Sequence, residues 1–195
     1  MVAVYAAGYM IGELLAKQGH RNIAYVGFAP AYPDRERMRG LTDCFAVHQL
    51  ALTRFEVLRP TIAEGERVCS SIVLRKDKPD AVVCYNDLVA IGFMGVARLL
   101  GISIPADLSV VGIDNIPFGR FTSPALTTID TQSELLGEEG MRMLFRQIAG
   151  GGPDTGHTMI EPRLVLRDST MARRAPSSPP GVPKTRKRPR SRASR

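Results

Sequence analysis

Three short apolar runs constrain the fold more than any other feature: "NIAYVGF" at 22–28, "AVVCY" at 81–85 and "LSVVGID" at 108–114. Each is rich in β-branched residues, too short for a self-burying helix, and bounded by turn formers such as Pro79-Asp80 and Pro105-Ala106-Asp107. A run apolar on both faces is a strand covered on both sides, which is the condition of a parallel sheet. A weaker run, 55–58, reads as another short strand. Segments of helical period stand between and before them. Residues 6–17 carry Met10, Ile11, Leu14 and Leu15 and stop at Gln18-Gly19-His20. A helix opening at Pro33-Asp34 carries Met38, Leu41 and Phe45 on one stripe, 64–75 carries Val68, Ile72 and Val73, and 87–100 ends at Gly101. Four β-α repeats with short loops predict an α/β protein, a Rossmann-like parallel sheet with helices on both faces and right-handed crossovers.

In such sheets small molecules bind beyond the carboxyl ends of the strands. Three polar groups are expected there: Arg37 on the helix after the first strand, Asn86 after 81–85, and Asp114 after 108–114. Together they offer bidentate donors and acceptors for neighbouring hydroxyls or a carboxylate. The Asn86-Asp87 pair has a second reading as a helix cap, since both side chains accept hydrogen bonds from a first helical turn. Catalytic motifs do not emerge. There is no glycine fingerprint after the first strand and no G-x-S-x-G elbow, and His20, His48 and His157 read as surface residues on a turn, a helix end and a late loop. No catalytic residue, cofactor or metal site is therefore expected. Cys44, Cys69 and Cys84 are odd in number, widely spaced and set in apolar segments, which fits reduced thiols in a cytoplasmic core better than a disulfide framework or a zinc spacing. The apolar N-terminus lacks a basic leader and is interrupted by Glu13, and no stretch approaches a membrane span.

The net charge of +7 is concentrated at one end of the chain. Nine basic residues and no acid lie in 172–195, which leaves residues 1–171 at −2. That Pro-, Ser- and Arg-rich stretch, "APSSPPGVPKTRKRPRSRASR", has too few large apolar side chains to offset chain entropy and reads as a disordered basic tail. It could hold DNA phosphates without sequence preference, or simply be solvated.

The segments "YAAGYMIGELLAKQGHRNIAYVGF", "RMRGLTDCF", "PDAVVCYNDLVAIGFMGVARLLGISIPADLSVVGIDN" and "SPALTTID" follow one another in an order and spacing that resembles the effector-binding domain of the LacI/GalR family of bacterial transcriptional regulators. The resemblance covers about residues 2–170. It implies a periplasmic-binding-protein-like type I fold, no enzymatic activity, and a sugar, sugar acid or similar effector held by Arg37, Asn86 and Asp114, with Asp87 as the helix cap. Where many members place a stacking aromatic after the second strand, this chain has Arg59-Pro60, so Arg59 becomes a candidate for an anionic ligand.

The resemblance also implies a division of the chain. Residues 2–130 match the C-terminal lobe, 131–160 a segment that returns to a mostly missing N-terminal lobe, 161–171 the C-terminal lobe again, and 172–195 the tail. Leu135, Leu136, Met143, Leu144 and Ile148 would then lack part of their cover. A homodimer is implied through Leu88, Ile91 and Phe121. Operator DNA would be read only through a missing headpiece, which suggests a truncated gene product or a fragment. Two other classes stay open: a transport-type sugar-binding protein, which would need an export signal, and a small α/β enzyme, which would need a nucleophile or base at the strand ends.

Overall fold

The computed structural model describes residues 2–150 and 158–173. In chain order the elements are α1 (Val4–Lys17), β1 (Asn22–Gly27), α2 (Tyr32–His48), β2 (Ala51–Glu56), α3 (Ile62–Val73), β3 (Ala81–Cys84), α4 (Asp87–Leu99), β4 (Ser109–Ile113), a 3-10 turn (Pro117–Arg120), β5 (Thr127–Asp130), α5 (Ser133–Ile148) and β6 (Arg163–Val165). The six strands form one sheet in the order β2-β1-β3-β4-β5-β6. All neighbours are parallel except β5 and β6. The chain therefore reverses its direction of travel between β1 and β3, and the loops leaving those two strands diverge to open a crevice.

The buried runs are buried for the expected reason. Along each strand, alternate side chains enter alternate cores. Ile23, Tyr25, Val83 and Val111 pack with Ala7, Ile11, Leu15 and Leu41 under α1 and α2. Ala24, Val26, Val82 and Val110 pack with Val68, Ile72, Val89 and Phe93 under α3 and α4. Within each helix pair the backbones touch. A methyl at Gly8 would fall on the Arg37 carbonyl and one at Gly40 on the Tyr5 carbonyl, while Gly65 and Gly92 stand in the same relation to Val89 and Ile62.

Several sequence expectations need correction. The second strand lies at Ala51–Glu56 rather than 55–58, because it is an edge strand whose residues are only exposed or half-buried, so no apolar run marks it. The third helix begins at Ile62, where Thr61 Oγ1 accepts from Glu64 N at 3.4 Å. His20 is not a surface residue. It is fully buried, with Nδ1 3.2 Å from Asp80 Oδ1. His48 is half-buried against Glu13, and His157 lies outside the described residues. All three cysteines are free and buried.

Helix α5 buries none of its residues, and Leu144, Phe145 and Ile148 are exposed. Around it the chain leaves and returns at one place. Val2 bridges Ile160, the Ala3 N–H donates to the Ile160 carbonyl at 3.0 Å, and Gln132 Nε2 donates to the Glu161 carbonyl. The end of the folded body also shifts. Arg173, which was assigned to the tail, donates from its backbone N–H to Gln18 O at 2.6 Å and from its guanidinium to the Asp80, Ala106 and Asp107 carbonyls. Residues 174–195, the remainder of the expected tail, lie outside the described residues. Among the described residues no helix is long and apolar enough to cross a membrane.

Candidate functional site

The carboxyl edge of the sheet collects the polar groups expected there, with roles partly exchanged. Arg37, one turn into α2, is 7% exposed. Its Nη1 donates to the Tyr85 carbonyl at 2.8 Å, its guanidinium stacks over the Tyr85 ring at 4.9 Å, and Nη2 faces Asp114 Oδ1 at 3.6 Å. The last distance exceeds a direct hydrogen bond. Arg37 is thus held from one side by a carbonyl and a ring, and its free edge points at a half-exposed carboxylate. Burial raises the Asp114 pKa from its ordinary value, and the facing guanidinium works against that rise.

Asp34 sets this arginine. It is fully buried in the first turn of α2, where Oδ1 accepts from Tyr25 Oη at 2.9 Å and from Phe28 N at 2.8 Å, and Oδ2 accepts from Arg54 Nη2 at 2.7 Å. The carboxylate ties β1, the β1–α2 loop and β2 to the turn that carries Arg37. The sequence marks Asp34 only as a helix start, because neither the burial of its carboxylate nor the convergence of Tyr25, Phe28 and Arg54 on it leaves a local pattern.

The Asn86-Asp87 junction reverses the expected assignment. Asn86, rather than Asp87, is the N-cap: Oδ1 accepts from Val89 N at 3.0 Å, while Nδ2 donates to the Pro60 carbonyl at 3.3 Å. Asp87 is fully buried and acts as a strut, accepting from Thr128 Oγ1 at 2.6 Å and Ile116 N at 2.8 Å. A methyl on Gly112 would strike its Oδ1, so the bare backbone of β4 makes room for the carboxylate. Burial pushes the Asp87 pKa up to about 6 despite those two donors.

Asp114 and Asn115 both have left-handed backbones, at φ 109° and 56°. For residues other than glycine such conformations cost about 1–3 kcal/mol each and need surrounding support. The support comes from Asp114 N donating to Ile129 O at 2.8 Å, and from Arg167, whose Nη2 donates to Asn115 Oδ1 at 2.6 Å and Nη1 to Leu126 O at 2.7 Å. Arg167 carried no sequence signal, since only the fold brings it to the loop after β4.

Arg37, Asp114, Tyr32, Thr131 and Leu136 line an open cleft of about 370 Å³. Asn86 stands beside it through Tyr85. Arg59 is exposed at the end of the β2–α3 connection, outside that lining, and its carbonyl accepts from Thr61 N at 2.9 Å. The structure therefore joins Arg37 and Asp114 directly and leaves both Asn86 and Arg59 outside the cleft lining. Aromatic surface, doubted after β2, is present by another route: Tyr85 and Phe28 meet edge to face at 5.7 Å, and Tyr32 is 56% exposed in the cleft.

Comparison with known proteins places this arrangement in context. The model of the periplasmic binding protein-like domain matches residues 13–170. The HTH-type transcriptional repressor PurR of Yersinia enterocolitica is 33% identical over 177 residues, covering 85% of this chain and 49% of the relative. The chain spans about half the length of the curated relatives it matches. A LacI family regulator from Enterococcus faecium, solved with bound ribose, superposes with a TM-score of 0.81 at 25% identity, covering 89% of this chain and 65% of that one. A LacI-family sugar-binding regulator from Escherichia coli, solved in complex with phosphate, gives 0.74 at 27% identity, covering 89% and 63%. The chain belongs to the periplasmic-binding-protein-like domain family, and within it resembles the effector-binding domains of LacI/GalR regulators.

Proposed function

We propose that this chain is the effector-binding part of a LacI-type transcriptional regulator and that the cleft over Arg37 and Asp114 takes a sugar, a sugar acid or a similar small polar molecule. The observation that carries this reading is the open pair itself. Arg37 Nη2 and Asp114 Oδ1 stand 3.6 Å apart at the mouth of a cleft, with Arg37 locked by Tyr85. An entering vicinal diol can accept from the one and donate to the other, and Tyr32, Pro33 and Leu136 of the cleft lining offer its carbon face an apolar wall. The ribose and phosphate bound by the two structural neighbours fall within the same chemical range. Asn86 retains an amide hydrogen for a ligand hydroxyl, and Arg59 at the rim would favour an anionic group.

The other parts of the reading follow the fold. Residues 2–130 and 161–171 form one lobe, and 131–160 is the excursion that covers a second. The exposed Leu144, Phe145 and Ile148 of α5 support this division. A homodimer forms through Leu88 and Ile91 of α4 with Phe121; Phe93 and Met94 turn into their own core, while Phe118 and Phe121 are 72% and 83% exposed. Operator DNA would be read by a headpiece outside these residues, in the cytoplasm, and the basic tail would touch DNA only through its phosphates.

Isothermal titration with ribose, gluconate and inorganic phosphate tests the cleft. The expected result is weak binding of at least one of them, lost in Arg37→Met and in Asp114→Ala. Binding that survives both substitutions together places the site elsewhere. Sedimentation of the chain and of Phe121→Asp tests the dimer. A monomer at tens of micromolar, a concentration that detects about 6–7 kcal/mol of association, counts against it.

A further inference from the structure

The α1–α2 face away from the cleft carries a cluster of a different chemistry. Cys44 and His48 lie one turn apart on α2, so their side chains share a face. Opposite them stands Glu13 of α1. Glu13 Oε1 is 2.9 Å from His48 Nε2 and 3.8 Å from Cys44 Sγ, and all three ligand atoms lie within 4.8 Å of one another. We propose that Glu13, Cys44 and His48 form a three-residue site for a thiophilic divalent cation, zinc first among them, with solvent as the fourth ligand.

Zinc bonds of roughly 2.0–2.3 Å in a tetrahedron put neighbouring ligand atoms about 3.3–3.8 Å apart. Glu13 Oε1 needs shifts of only a few tenths of an ångström against each partner, while Cys44 Sγ and His48 Nε2, within 4.8 Å of each other, close by at most about 1 Å. Lys17 Nζ sits on the other oxygen, Oε2, at 2.8 Å, so it can orient the carboxylate while Oε1 turns to the metal. Gly12 clears the space, since a methyl there would fall 2.7 Å from Cys44 Sγ. Glu13 and His48 are 29% and 34% exposed, which gives an ion its path from solvent to the buried thiol.

The thiol also selects the metal. One thiolate, one imidazole and one carboxylate form a donor set that suits a borderline-soft cation, and the thiol proton leaves to solvent as the metal–sulfur bond forms. Calcium and magnesium, which prefer oxygen, gain nothing here. The spacing of the cysteines among themselves carries no metal pattern. The pattern is a Cys and a His at i, i+4, completed by a carboxylate from the neighbouring helix.

The test is equilibrium dialysis of the full chain, under reducing conditions, against zinc, with cobalt as the spectroscopic probe. The expected result is one ion per chain at micromolar free metal, a thiolate-to-cobalt charge-transfer band in the near ultraviolet, and affinity that rises about tenfold per pH unit as the thiol proton is displaced. Cys44→Ser removes the band and the steep pH dependence, and His48→Gln, a change at the half-exposed rim that leaves the core alone, lowers affinity at least about tenfold. Cys69→Ser and His157→Gln leave all three readouts unchanged. Absence of stoichiometric binding, a cobalt spectrum without the thiolate band, or binding unaffected by Cys44→Ser and His48→Gln overturns the proposal.

Discussion

Replacing Asp34 by alanine is the sharpest test of how the site is held. Three donors converge on this fully buried carboxylate: the sealed hydroxyl of Tyr25, the half-buried N–H of Phe28, and Arg54 Nη2. An orphaned buried donor costs about 1–3 kcal/mol, and breaking a buried ion pair about 3–5 kcal/mol. Arg54 is 28% exposed and keeps Glu56 Oε1 at 3.1 Å, so its loss belongs at the low end. Tyr25 has no such exit, since its hydroxyl lies under α2. The expected cost of Asp34→Ala is about 4 kcal/mol, most of it from the Tyr25 and Phe28 donors. Asp34→Asn, which keeps an acceptor for those two but turns an amide N–H donor toward Arg54 Nη2 and so loses that hydrogen bond with the charge, should cost about 1–3 kcal/mol. Urea unfolding followed by circular dichroism gives both numbers, and a cycle with Tyr25→Phe should return a coupling of about 1–2 kcal/mol. A cost below about 1 kcal/mol for Asp34→Ala would refute the reasoning, for it would mean that water or another acceptor replaces the carboxylate inside the β1–α2 turn.

Asp87 predicts a pH dependence of opposite sign to that of an ordinary surface carboxylate. Its folded pKa of about 6 lies above the ordinary carboxylate value of 3.8, so its contribution to stability is fully present below pH 3.8 and is lost as pH rises through 6; urea midpoints between pH 4 and 7 should show that slope, and Asp87→Ala should remove it. Gly8→Ala, which drives a methyl into the Arg37 carbonyl, should cost about 3 kcal/mol by the same assay, while Gly95→Ala, with open space around its Cβ, should stabilise α4 by about 0.5–1 kcal/mol. Deleting residues 174–195 should abolish weak, salt-sensitive binding to any duplex; fluorescence anisotropy on two unrelated duplexes across a salt series would expose a sequence preference if the folded body itself reads DNA.

What was legible in the sequence is what depends on short-range pattern. β1, β3 and β4 are apolar throughout because both their faces are covered, and a run of β-branched residues states that without reference to the rest of the chain. β2 obeys the opposite rule: an edge position leaves Thr53 and Arg54 in a strand that looks like a loop. Arg37 and Asp114 were legible as strand-end polar residues, and the fold brings them face to face. The division of labour between Asn86 and Asp87 was not, since a cap and a strut use the same side-chain chemistry and differ only in where Thr128 and Ile116 lie. Asp34, Arg167 and His20 escaped for a related reason. Each is polar and holds partners tens of residues away or sealed behind other elements, and the composition around such a residue resembles a surface.

The four glycines at the helix crossings bear on how the protein moves. With backbone resting on backbone at Gly8 and Gly40, and again at Gly65 and Gly92, neither helix pair has the side-chain padding that would let one helix slide past its neighbour. The sheet is clamped between two stiff plates. A ligand arriving at Arg37 has no soft internal joint to bend. Under the reading proposed above, the displacement it causes would pass to the chain crossing at Val2 and Ile160 and tip the body as a single piece.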